Sequence, residues 1–109
     1  MTGRLIPAPK FHPLMWKRVQ EGRKIATTRK ERLGEPGDWW EQDGVLYRIV
    51  DVMEVQFGTV TTDFYRVEGF ETPEAFEIFW IRIHRGNLPE PEDLRYIHFF
   101  ARIAEGVEP

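Results

Sequence analysis

Apolar residues recur along this chain at two spacings, and the changes from one to the other mark its elements. From His12 to Gly22, Leu14, Met15 and Val19 form an inward stripe with helical spacing. Pro13 suits the first helical turn, where its missing N–H costs nothing, and Gly22 suits the left-handed cap position. The pattern predicts a short helix there. Residues 25–29 are rich in Ile and Thr and read as a strand. Trp39–Glu41 and Val45–Val52 read as two further strands around a turn at Asp43-Gly44, a pair that tolerates positive φ. Ile49, Val52 and Val55 do not keep one parity, so a second strand running on to Phe57 needs a bulge near Asp51-Val52. Residues 61–67 are expected to form a short helical turn. Thr72-Pro73-Glu74 opens a clearer helix, with Thr as N-cap, Pro in the first turn and Glu matching the dipole. Phe76, Phe79, Trp80 and Ile83 give it one apolar face, and Gly86 stops it. Arg95 to Ala104 reads as a final buried strand.

Helices and strands alternate irregularly, without a βαβ period or an internal repeat. The expectation is one α+β domain over 1–109, with a small, mostly antiparallel, barrel-like sheet. The first ten residues are Pro-punctuated and read as an extended arm. A chain of 109 residues buries one modest core, and its 41% hydrophobic content suffices for that. No run approaches the roughly 20 apolar residues that span a membrane. The start lacks the apolar core of a signal peptide. Without Cys there is no disulfide framework, thiolate metal site or catalytic thiol, and a cytoplasmic location is expected.

Charge singles out one segment. Residues 17–32 carry seven basic and two acidic side chains, a local charge of +5 in a chain of net −3. Such asymmetry predicts a local anion site on a protein that is not a general polyanion binder. Within it, Lys24, Thr27 and Arg29 bring together a cation, a hydroxyl and a bidentate fork. Each also has an ordinary reading: Lys24 as a solvated charge, Thr27 as a strand former, Arg29 as a partner of Asp38. In a regular strand Thr27 and Arg29 share a face, and Lys24 joins them only if the chain bends after Gly22. Of Trp39 and Trp40, one is expected in the core and the other, assigned to Trp39, on the surface as a platform for a base. His12, His84 and His98 lack metal-ligand spacing and read as structural or surface residues. Phe76, Phe79 and Trp80 read as helix packing. No phosphate-binding Gly-rich loop, dinucleotide fingerprint or Ser-His-Asp set is present, so no cofactor is expected.

Gly22-Arg23-Lys24-x-x-Thr27-x-Arg29, then Gly37-Asp38, then Glu68-Gly69-Phe70, resembles the ASCH domain family over residues 11 to 103. The resemblance implies a fold similar to the PUA RNA-binding module, a compact β-barrel with packed helices. It implies binding of RNA or of a nucleoside or nucleotide, and the basic segment and exposed aromatic read above then make Arg23, Arg29 and Trp39 the expected ligand-binding residues of a basic cleft. It also implies an alternative. A small bacterial subgroup hydrolyses N4-acetylcytidine to cytidine and acetate without a metal, using a Lys, a Thr and a Glu. These fall on Lys24, Thr27 and Glu68. That subgroup continues Lys-Thr-Ile-Thr where this chain reads Lys24-Ile25-Ala26-Thr27. Amide hydrolysis by such a set needs a lysine whose pKa lies well below its usual value, which burial and nearby Arg23 or Arg29 promote.

Overall fold

The sheet is built from β1 (Ala26–Arg29), β2 (Trp39–Gln42), β3 (Val45–Gln56) and β4 (Leu94–Arg102), in the order β1-β4-β3-β2. All three pairings are antiparallel, and the sheet curls into half a barrel, the predicted α+β class. Among the described residues three helices accompany the sheet: α1 (Pro13–Gln20), α2 (Phe57–Asp63) and α3 (Pro73–Ile83). The computed structural model describes residues 3–103; Ala104, the expected end of the last strand, lies outside them.

Local chemistry sets most boundaries. Asp43 and Gly44 both take positive φ (52° and 77°), so two residues suffice to turn β2 into β3. Thr72 Oγ1 accepts from the Ala75 N–H at 3.1 Å and caps α3. His12 caps α1 in the same way, through Nδ1 and the Leu14 N–H. The bulge on β3 lies at Val50, between Ile49↔Phe100 and Asp51↔Phe99, one residue before the expected place. The N-terminal arm is extended and adds to the β2 edge: the Ile6 N–H donates to the Trp39 carbonyl, and the Trp39 N–H to the Arg4 carbonyl.

Two expectations are corrected. Phe57 does not end a strand but starts α2, four residues before the expected helical turn. The β-branched, Gly-containing sequence of α2 favours strand. Tertiary contacts override that preference: the Phe57 and Gly58 N–H groups donate to the Asp93 and Pro91 carbonyls, while Phe57 and Val60 enter the core. On α1 the inward residues are Met15 and Val19, whereas Leu14 is exposed. Trp16 takes the third inward place, its indole stacked on Phe11 and donating to Asp43.

The core falls into two clusters. Trp40, Tyr47, Ile49, Phe100 and Val19 pack on the sheet, and Met15, Phe57, Val60, Phe70 and Phe76 pack between the helices. Phe11 bridges both.

Candidate functional site

Helix α1 ends at Gln20, and at Gly22 (φ 78°) the chain folds back. The N–H groups of Arg23 and Lys24 both donate to the Arg18 carbonyl. Those of Ile25 and Ala26 both donate to the Val67 carbonyl, at 2.8 and 3.0 Å. The entry to β1 is thereby fastened to the turn that carries Glu68. Gly69 has φ 101°, and a Cβ there would lie 3.2 Å from Lys24 Cβ. Only glycine allows both this conformation and this approach. Arg18 braces the turn from outside, donating to the Gly69 carbonyl at 3.0 Å with its guanidinium over the Phe70 ring.

The Glu68 carboxylate therefore points inward, where both its oxygens are engaged. Lys24 Nζ lies 2.7 Å from Oε1, and Thr28 Oγ1 donates to Oε2 at 2.5 Å. Lys24, Thr28 and Glu68 are all buried. Thr27 belongs to a second pair: Arg29 Nε donates to its Oγ1 at 3.1 Å, and Arg29 Nη2 donates to the Lys10 carbonyl. Lys24 precedes β1 and reaches Glu68 through the turn after Gly22, outside the alternation of Thr27, Thr28 and Arg29 along the strand. No hydrogen bond joins Lys24 to Thr27 among the described residues.

Burial lowers the Lys24 pKa below its ordinary 10.5. The charge and hydrogen bond of Glu68 oppose that shift, and the charges of Arg29 and Arg18 reinforce it. Behind the strand, His98 is 1% exposed and fully bonded. Its Nδ1–H donates to the Thr27 carbonyl at 3.2 Å, and Nε2 accepts from the Leu33 N–H at 2.9 Å. One donor and one acceptor describe a neutral imidazole. Burial, acting against the Thr27 bond, lowers its pKa and favours that form.

Both pairs line one cleft of about 150 Å³. Its polar wall is Lys24, Thr27, Thr28, Arg29 and Glu68, and its other wall is aromatic, with Phe11, Phe70, Phe76, Phe79 and Trp80. Four of the six expected site residues thus meet. Two do not. Arg23 projects outward and pairs with Glu21 at 3.6 Å. Trp39 lies on β2, the edge of the sheet opposite β1, beside Leu5 and Ile6, while Trp40 is the core member of the pair. Sequence reasoning missed Thr28, the neighbour of the expected Thr27 on β1. It also missed Phe79, Trp80 and His84 as cleft walls; their place depends on how α3 docks.

No protein-family model and no curated protein matches the chain. Solved structures do. An ASCH domain from Lactobacillus crispatus JV V101 superposes with a TM-score of 0.62 at 18% identity, over 93% of this chain and 80% of the other. A protein of the DUF984 family from Enterococcus faecalis V583 gives 0.57 at 18% identity, over 94% and 80%. Likeness at this identity establishes the fold.

Proposed function

On this ASCH-like fold, we propose that the cleft binds a base-bearing ligand, an RNA element, nucleoside or nucleotide, with a pyrimidine ring seated against Glu68. The observation that supports this is the buried Lys24–Glu68–Thr28 set on the wall of a small aromatic cleft. A space of about 150 Å³ takes one benzene-sized ring. The aromatic wall offers faces for stacking. Glu68 accepts hydrogen bonds, and Lys24 and Arg29 donate them. Cytosine carries an amino donor beside ring and carbonyl acceptors, which matches this set. Fold alone does not assign function, so the reading rests on the cleft.

Calorimetric titration with the four ribonucleosides tests it. Cytidine is expected to bind more tightly than adenosine or guanosine. Glu68→Gln is expected to weaken cytidine about tenfold or more, the value of a bond to a charged group. Purines binding as well as cytidine, or no nucleoside binding at all, would refute the assignment.

A second reading is favoured by the lowered Lys24 pKa and by the Arg29 donor on Thr27 Oγ1. Hydrolysis of an acylated exocyclic amine needs a nucleophile, a base and donors for the oxyanion. Thr27, Arg29 and Lys24 once it has given up its proton would have those capacities, and Glu68 would carry a proton to the leaving amine. Water and N4-acetylcytidine would give cytidine and acetate. Chromatography of N4-acetylcytidine incubated with the protein, Thr27→Ala and Lys24→Ala decides this reading. Cytidine release by the parent and by neither variant supports it; release by all three counts against it.

A further inference from the structure

The cleft is too small for a whole nucleotide, and what lies outside its mouth is basic. The space of about 150 Å³ takes one ring, so the sugar and anything bonded to it must lie beyond. A second, more open groove of about 380 Å³ adjoins it and shares Thr28, Arg29, Trp80 and His84 with the cleft. The Trp80–His84 stack, with rings 4.2 Å apart and 19° from parallel, is the ledge between the two. His84 Nδ1–H donates to the Trp80 carbonyl at 2.9 Å, which holds the ledge in place. The groove adds Lys30, Arg95 and Asn87, and no carboxylate lines it among the described residues. In the cleft Lys24 is already matched by Glu68. In the groove, Lys30 makes no ion pair among the described residues, and Arg95 spends one donor on the Leu94 carbonyl, at 2.7 Å.

We infer that the groove is a phosphate subsite, so that the ligand carries phosphate on the sugar of the base held in the cleft. The inference rests on the base-binding reading of the cleft. Unmatched cations beside an aromatic base site are the arrangement by which proteins track a nucleic-acid backbone. The shared chemistry is a ribose-linked phosphate, whether a monoester on a nucleotide or a diester in single-stranded RNA.

Cytidine, cytidine 5′- and 3′-monophosphates and a short single-stranded oligocytidylate are titrated against the parent and the Lys30→Ala/Arg95→Ala double variant. The same titrations are repeated at higher salt. In the parent, at least one phosphorylated ligand is expected to bind about tenfold tighter than cytidine, with the advantage shrinking as salt rises. The double variant is expected to lose that advantage and keep its affinity for cytidine. A further gain for the oligonucleotide assigns the diester, and equality with a monophosphate assigns the monoester. Cytidine binding as tightly as every phosphorylated ligand overturns the subsite and leaves the cleft reading standing. Failure of all four ligands overturns both. Circular dichroism of the double variant checks its fold.

Discussion

Two buried carboxylates, Asp38 and Glu68, make a controlled comparison within one small fold. They are 4% and 3% exposed, each adjoins a glycine of positive φ, and each uses both oxygens. Their partners differ. Asp38 accepts from two backbone groups, the Arg4 N–H at 2.9 Å and the Glu35 N–H at 2.8 Å. Those bonds hold its pKa below the usual 3.8 and tie the N-terminal arm to the loop before β2. Glu68 accepts from two side chains, Lys24 and Thr28, at the wall of a cleft. Backbone donors cannot turn away from an acceptor without unfolding their segment. Side-chain donors can, so a ligand can take a place among them. Burial therefore does not distinguish the two carboxylates; the origin of their donors does.

The largest expected effect breaks the Glu68 side. Lys24→Met leaves the carboxylate buried without its counter-charge, at an expected cost of about 3–5 kcal/mol in urea unfolding. Adding Glu68→Leu recovers most of that stability, because apolar replacement of a whole buried pair is close to neutral. The double variant still fails to bind cytidine. Next comes Asp38→Ala, which leaves two backbone N–H groups without acceptors and costs about 1–3 kcal/mol in the same measurement. Cytidine affinity is expected to stay unchanged; a parallel loss of binding would erase the distinction. Thr28→Val removes one donor from Glu68 and costs about 1 kcal/mol, and it weakens cytidine where Thr62→Val, at an exposed hydroxyl bonded within α2, does not.

The smallest effect is a slope. The folded pKa of Asp38 lies below its unfolded value of 3.8. Its contribution is therefore complete above that value and is lost as pH falls through the folded pKa. Urea midpoints between about pH 5 and about pH 2 are expected to fall less steeply for Asp38→Asn than for the parent.

What the sequence made legible was local. Asp43-Gly44, the Thr72-Pro73 cap and the aromatic spacing on α3 each act over a few residues, and each takes its expected form. Only the start of helix α2, at Phe57, was illegible, because its stabilising partners lie some 35 residues away, at Pro91 and Asp93. The cleft shows the same division. Lys24, Thr27 and Arg29 come from one segment and line one cleft, Lys24 joining the other two through the turn after Gly22. Trp39 failed as a cleft residue because strand order, a long-range property, sets β1 and β2 on opposite edges. The aromatic wall from α3 depends on tertiary docking in the same way.

Calorimetric titration of cytidine into the parent, Glu68→Gln and Asp38→Asn tests the central claim most directly. Binding by the parent, undiminished binding by Asp38→Asn, and a loss of about tenfold or more in Glu68→Gln are expected. Equal binding by all three proteins, or a loss in Asp38→Asn as large as that in Glu68→Gln, would contradict it.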